Sequence, residues 1–306
     1  MCLGGVYLKG DLTGTDVDDH WSLDTGSATW TAIKLAANAT RPVTRSYQSC
    51  FATEKGAFFM YSGFQSAAGG DVRDMWKYDG TSWSAINVDK SVPIMDSSVA
   101  VHVSPQRTYM WGGWGTLNPA IASMLEFDGD TGAVTVIQDD ARRPSARFGH
   151  ILVAVGPTVY LAFGATFDTT TSLKFPDDGA WQLDPEANTW TAINGFSTPN
   201  RVGARALARG IQVFVMFGKT ASGYTSEVLQ WLVTGTGDPQ MSALSQTGAW
   251  PPARAYHAMQ WASLDFTDIV VFGGVSTGAT NLGDMWVYNV DTNEWAGDMG
   301  RLAACA

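Results

Sequence analysis

A stretch of about 50 residues recurs six times along this chain, and a repeat of that length cannot bury an apolar face by itself. The copies align on an acidic or small residue followed shortly by Trp-x-aromatic/Leu-Asp. They read DDHWSLDTGSATWTAI at 18–33, RDMWKYDGTSWSAI at 73–86, SMLEFDGDTGAVTVI at 123–137, DGAWQLDPEANTWTAI at 178–193, SEVLQWLVTGTGDPQMSAL at 226–244 and GDMWVYNVDTNEW at 283–295. The aligned position holds Trp21, Trp76, Leu125, Trp181, Leu229 and Trp286, at spacings of 55, 49, 56, 48 and 57 residues.

Upstream of the copies runs a second pattern, apolar-apolar-aromatic-Gly: GVYLKG at 5–10, AFFMYSG at 57–63, TYMWGG at 108–113, VYLAFG at 159–164, VFVMFG at 213–218 and IVVFGG at 269–274. A third pattern, Arg before a short apolar stretch, lies further upstream at Arg45, Arg147, Arg205 and Arg254, with His150 and His257 three residues after their arginines. Each unit thus holds four short segments bounded by Gly, Pro, Asn and Asp, which read as strands. We label them A (Arg-x-x-His), B (ending in Gly), C (Trp-x-Tyr-Asp) and D (Thr-x-x-Trp). Short polar C–D connections such as Asp291-Thr292-Asn293-Glu294 read as hairpin turns. Four-stranded units that stack around an axis bury one another.

The spaced Gly-Gly, Tyr and Trp make the chain resemble the kelch repeat of β-propellers, and GGVSTGATNLGDMWVYNVDTNEW at 273–295 is close to that consensus. The third and fifth copies depart from it, with Val134 and Met241 where the D-strand Trp belongs. The resemblance implies an all-β, six-bladed kelch-type propeller of four-stranded antiparallel blades, forming one domain over 1–306. The expected blades are 301–306 with 1–33, then 41–86, 91–137, 142–193, 201–244 and 250–299. The first copy has no upstream A strand, while 301–306 reads as an orphan A strand with Arg301 in the repeat position. Pairing of 301–306 with 5–10 would close the ring and remove two sheet edges, as the family's C-terminal closure also implies. Cys2 and Cys305 would then face each other across the seam, either as a disulfide or as two thiols, with Cys50 a core thiol.

Eight tryptophans occupy the C and D positions, and Trp111, Trp231 and Trp261 lie in strands B, C and A, so eleven of the 13 read as inter-blade core. Trp114, in a B–C loop, and Trp250, in a D–A loop, remain. Antiparallel neighbours send the B–C and D–A loops to one face. Loops on a rigid scaffold concentrate binding residues, so that face is the candidate functional one.

Arg45, Arg147, Arg205, Arg254 and Arg301 begin the innermost strand, with Asp96 breaking the series in blade three. Two readings stay open. The arginines could line the channel mouth with Trp114 and Trp250 and hold an anion or an acidic peptide, as the resemblance to kelch adaptors of ubiquitin ligases implies. Alternatively, each pairs with an acidic neighbour such as Asp24, Asp79 or Asp184 and holds blades together.

Four histidines show no zinc-ligand spacing, and neither a Gly-x-Ser-x-Gly elbow nor a phosphate loop is found. The residue set of copper radical oxidases and the iron-binding loop of nitrile-specifier proteins are not found, whereas mutarotase-type chemistry needs only an Arg with one acid or base. The reading therefore inclines against catalysis, expects neither cofactor nor metal, and takes the chain for an interaction module. The alternative is a glycan-binding or sugar-isomerising propeller, similar to sialic acid mutarotases, acting at the same face. The expected partner is a protein or an anionic or glycan ligand. The net charge of −10 argues against nucleic acid, and the chain is expected to act as a monomeric ring or as a module of a larger assembly. No apolar run is long enough to span a bilayer, and Met1 opens no basic-then-apolar leader. Asn38-Ala39-Thr40 is a glycosylation sequon. Compartment stays open, with a seam disulfide inclining it toward the extracellular side.

Overall fold

The computed structural model describes residues 2–8, 14–27, 29–53, 56–115, 120–137, 142–167, 173–176, 179–196, 198–234, 240–262 and 264–297. The first repeat gives β1 (Cys2–Leu8), β2 (Gly14–Asp24) and β3 (Thr29–Ala32). Repeat two gives β4 (Ser49–Ala52), β5 (Phe58–Tyr61), a small hairpin of β6 (Phe64–Gln65) and β7 (Gly70–Asp71), then β8 (Met75–Tyr78) and β9 (Trp83–Ile86). Repeat three gives β10 (Val99–His102), β11 (Arg107–Trp111), β12 (Met124–Asp128) and β13 (Val134–Ile137). Repeat four gives β14 (Ile151–Val155), β15 (Thr158–Ala162), the hairpin β16 (Thr166–Phe167) and β17 (Leu173–Lys174), then β18 (Ala180–Asp184) and β19 (Thr189–Ile193). Repeat five gives β20 (Arg205–Arg209), β21 (Gln212–Met216), the hairpin β22 (Lys219–Thr220) and β23 (Gly223–Tyr224), then β24 (Val228–Leu232) and β25 (Gln240–Ala243). Repeat six gives β26 (Ala258–Trp261), β27 (Asp268–Phe272), the hairpin β28 (Val275–Ser276) and β29 (Thr280–Asn281), then β30 (Met285–Asn289) and β31 (Glu294–Ala296).

Repeats two to six each form one four-stranded antiparallel sheet in the order A-B-C-D, for example β14-β15-β18-β19, so the molecule is an all-β propeller. We number these blades two to six after their repeats. The count of six such blades is corrected to five. The first sheet has three strands, β1-β2-β3, because its repeat supplies B, C and D only. Residues 301–306, expected to complete it and to close the ring, lie outside the described residues, as do Arg301 and Cys305.

The C–D turns show why short polar connections suffice. Asp24, Asp79, Asp128, Asp184 and Asn289 each accept backbone N–H bonds from the residues two and three further on, as Asp79 does from Thr81 and Ser82, both at 2.8 Å. Asp24, Asp79 and Asp184 are thus turn formers, and the arginines find other partners. At the end of strand B the chain must pass the incoming strand A of its own blade. A Cβ at Gly113, where φ is +112°, would lie 2.6 Å from the Asp96 carbonyl oxygen, so only glycine fits.

Blades are held together by apolar layers between them. Ile151, Val153 and Phe163 of blade four pack with Val213, Val215 and Trp231 of blade five. Phe214, Phe217 and Val228 pack with Ile269, Val271 and Trp295 of blade six. Trp111 and Trp231 are fully buried, and Trp83, Trp190 and Trp295 nearly so. Trp21, Trp76, Trp181 and Trp286 on the C strands, and Trp30 on the D strand of the first sheet, are half-buried. The first sheet touches blade two where Trp83 Nε1 donates to His20 Nε2 at 3.0 Å. It touches blade six where Trp30 and Phe272 have ring centroids 4.8 Å apart.

Candidate functional site

The D–A and B–C loops do share one face, and they are knitted to each other by backbone pairs. Ser46 pairs with Phe64, Asp96 with Trp114, Phe148 with Ala165, Val202 with Lys219 and Ala255 with Val275. The residue after each D–A member, Tyr47, Ser97, Gly149, Gly203 and Tyr256, has positive φ. These five residues turn around the inner rim. Ser97 N donates to Tyr47 O, Gly203 N to Gly149 O and Tyr256 N to Gly203 O, each at 2.7 Å.

This register identifies the arginine series. It comprises Arg45, Arg147, Arg201 and Arg254, each two residues before a rim position, with Met95 in blade three. All four are at most 2% exposed. Their Nη1 atoms donate to carbonyls at the end of strand B: Ser62 (3.0 Å), Phe163 (3.1 Å), Phe217 (3.2 Å) and Gly273 (2.9 Å). Three also meet a carboxylate at the start of strand C, namely Asp74, Glu227 and Asp284. Arg147 also donates to Gly179 O at 3.4 Å and to Ser145 Oγ at 2.9 Å. Each guanidinium therefore fastens strands B and C of its blade to the loop before strand A. The structure does not bring Arg45, Arg147 and Arg254 together with Trp114 and Trp250 at an open mouth. Asp96 stands one place beyond the arginine position, not in it.

Arg205 differs from the others. It lies four residues beyond Arg201, inside β20, and is half-buried. Its Nη1 donates to the adjacent Ala204 O at 3.2 Å, and no carboxylate among the described residues pairs with it. Burial disfavours its charge and pushes its pKa down; the Tyr256 hydroxyl is the one group that pulls the other way. Burial pushes the Tyr256 hydroxyl up while Arg205 opposes it, and Tyr47 and Tyr224 lie close enough to add to the rise. The Lys219 ammonium sits 5.5 Å from the Tyr224 ring centroid. The Tyr256 ring lies over Gly203, where a Cβ would meet Cδ1 and Cδ2 at 3.0 Å. Tyr47 and Tyr256 are 53% and 37% exposed, so two phenols stand at the rim, Tyr256 near an arginine that has no carboxylate partner among the described residues.

Of the expected aromatics, Trp250 is exposed, while Trp114 is half-buried against Phe148 and Phe167 and belongs to local packing. Asn38 is exposed between β3 and β4. Cys2 pairs with Trp21 through the backbone, but the other half of the expected disulfide lies outside the described residues. His150 and His257 are buried between blades, against Trp111 and Phe217. Among the described residues no group of three or more His, Cys, Asp or Glu is placed to hold a metal ion, and no helix is long and apolar enough to cross a membrane. Arg201, Tyr47, Tyr224 and Tyr256 were missed by sequence reasoning. Tyr47 and Tyr256 carried a signal, since both stand two residues after a series arginine.

Antiparallel four-stranded blades, a glycine at the end of strand B and an arginine fastening each loop face define a kelch-type β-propeller, a class of domain that generally mediates protein interactions. The model of the KLHDC2/KLHL20/DRC7 Kelch-repeats domain matches residues 4–165, and the chain belongs to that family. Comparison with curated proteins gave no match.

Proposed function

We propose that this protein is a non-enzymatic interaction module that takes an acidic segment of a partner on its B–C/D–A face, with Arg205 as the recognising cation. The observation that carries this reading is the contrast between Arg205 and the series arginines: Arg45, Arg201 and Arg254 each spend their charge on a carboxylate, whereas Arg205 has none among the described residues. A guanidinium held at a half-dry rim gains most from a carboxylate brought by a ligand. Tyr256 stands close to it with Tyr47 close to Tyr256, Lys219 adds a second positive charge on the same blade, and Trp250 offers an exposed aromatic face.

The same reading includes a ring completed by 301–306. Its support is Asp19, which accepts from Trp21 Nε1 at 3.0 Å just as Asp74 and Asp284 accept from Trp76 and Trp286, both at 2.7 Å. Asp74 and Asp284 also hold Arg45 and Arg254. Arg301 continues that arginine series and is the proposed partner of Asp19.

Acidic peptides and their Glu→Gln counterparts titrated onto the folded protein test the function. The expected result is binding of the acidic forms alone, weakened about tenfold or more by Arg205→Ala. Binding of glycans without acidic peptides would move the function to the sugar-recognising alternative, for which the exposed Trp250, Tyr47 and Tyr256 rings would be the stacking surface. Equal binding by wild type and Arg205→Ala would remove Arg205 from the site.

A further inference from the structure

We propose that the face opposite the loop face carries a second docking surface, an apolar patch on the A–B turns of blades five and six that takes a partner segment whose apolar side chains are flanked by Lys or Arg. The inference is independent of what the loop face binds.

Among the described residues, the large apolar side chains left exposed fall into two groups. Val43, Tyr47, Trp250 and Tyr256 lie on D–A loops, whereas Ile211, Leu264 and Phe266 lie on the turns before β21 and β27, at 54%, 96% and 45% exposure. These two turns adjoin, because Arg209 reaches from the first to the second: its Nη1 donates to Phe266 O at 3.4 Å and to Asp291 Oδ1 at 2.8 Å. Phe266 breaks the repeat. The position two residues before strand B has positive φ in blades two, four, five and six, and the first three hold Gly56, Gly156 and Gly210, at +81°, +58° and +59°. A Cβ at any of those glycines would meet nothing within 4 Å, so a side chain there projects into open space. Blade six places a phenylalanine at that position, with φ of +56°. Left-handed backbone disfavours a bulky side chain, so the ring is held at the surface at a cost in backbone strain. It stands T-shaped to Trp261 at 5.6 Å, and Trp261 stands T-shaped to Phe214 of blade five at 6.2 Å, so the ring is fixed from below. An exposed apolar patch rimmed by polar groups marks an interaction site.

Charge selects the occupant. Asp265 and Asp268 flank Phe266 in the chain, and Asp268 accepts from Asn289 Nδ2 at 2.8 Å, a neutral donor that leaves its charge in place. Arg209, the cation at the patch, is already taken by Asp291. The C–D turns of the neighbouring sheets add Asp24 and Asp184, whose carboxylates accept backbone N–H groups of their own turns. The patch therefore lies among acidic turns on a chain of net charge −10. A second copy would bring these turns against their own kind, and an anionic lipid surface would be repelled by them. A segment with Lys or Arg beside its apolar side chains meets the patch and the carboxylates at once.

The test is a methyl NMR titration of the full chain, labelled at Ile and Leu, with three model peptides: an amphipathic Leu/Lys peptide, its Leu/Glu counterpart and its Ser/Lys counterpart. The Leu/Lys peptide is expected to shift the Ile211 and Leu264 signals, and the other two to leave them in place. Phe266→Gly, which restores the residue of the other blades, should weaken binding of the Leu/Lys peptide about tenfold or more, and so should Ile211→Ser combined with Leu264→Ser at two exposed positions. Unmoved signals with the Leu/Lys peptide, equal shifts with either counterpart, or unchanged affinity in both variants would overturn the surface. Dimers in sedimentation that the double variant abolishes would give the patch to a second copy, and binding to phosphatidylserine vesicles that it abolishes would give it to a membrane; either result would overturn the basic partner.

Discussion

Arg254 and Asp284 meet fork to fork, with Nη1–Oδ1 and Nη2–Oδ2 both at 2.7 Å, and the same carboxylate accepts from Trp286 Nε1. Arg254 is fully buried and Asp284 is 13% exposed. Burial works against the Asp284 charge, but the bonds from Arg254 and Trp286 win and hold its pKa below the usual value. Truncating Arg254 leaves that charge buried and releases two loop carbonyls, so Arg254→Ala should cost about 3–5 kcal/mol in urea unfolding. Arg209 and Asp291 form an exposed pair at 2.8 Å, and Arg209→Ala should cost less than about 1 kcal/mol. Similar losses for both would remove the fastening role of the arginine series.

Arg201 and Arg205, four residues apart, should separate stability from binding. Arg201 donates to Phe217 O and to Glu227, so Arg201→Ala should lower stability by about 3 kcal/mol. Arg205 gives up one bond to its neighbour's carbonyl, so Arg205→Ala should change stability by less than about 1 kcal/mol while reducing acidic-peptide binding. Parallel urea melts and peptide titrations on the two variants check this. A severe stability loss in Arg205→Ala would make it another structural arginine.

The repeat and its strand order were legible because each strand carries a local mark: glycine ends B, Trp marks C, and an Asx residue closes the C–D turn. The arginine register was not. Arg205 heads an apolar strand and looks like the others, whereas Arg201 sits in a Pro-Asn-Arg-Val loop, and only the backbone pairing of Val202 with Lys219 fixes the alignment. The buried Asp96 was illegible for a different reason. The other blades hold Ser46, Phe148, Val202 and Ala255 at its place, so no repeat marks it. Residues that break a repeat become visible only once its geometry brings them together.

Gly203 is a point where the rim admits no side chain. Its φ is +72°, and a Cβ would stand 3.0 Å from both Ala255 Cβ and the Tyr256 ring. Gly203→Ala therefore combines left-handed strain with overpacking and should cost about 2–4 kcal/mol. Because the displaced group is Tyr256, peptide binding should weaken more than at Gly210, where φ is +59° and nothing lies within 4 Å of a Cβ. Gly210→Ala should show only the backbone strain, about 1 kcal/mol. Equal effects at both sites, in melts and titrations, would count against a packed tyrosine rim.

His150 and His257 should make the fold acid-sensitive. Both are buried; a bond to the Trp111 backbone favours the charged form of His150 but is outweighed, and the ring nitrogens of His257 have no hydrogen-bond partner among the described residues. Burial first, then Arg147 and Arg205, pushes His150 down to about 3; burial, Arg205 and Arg254 push His257 well below its ordinary value. The unfolded chain takes up protons near pH 6.5 and the folded chain does not. Stability is therefore full above that pH and declines below it, by about 1.4 kcal/mol per pH unit for each histidine. Burial pushes the Asp96 carboxyl up to about 7, so it acts in the opposite sense between about pH 4 and 7, because there the folded chain is the one that holds the proton. Near pH 5.5 two histidines oppose one carboxyl, so the wild type should lose stability on acidification with the slope of about one proton. Asp96→Asn should steepen that slope to about two protons, and His257→Gln should flatten it toward zero. Urea unfolding at half-unit steps from pH 5 to 8 reads all three, and a wild-type curve that rises on acidification would show that the histidines are protonated in the fold.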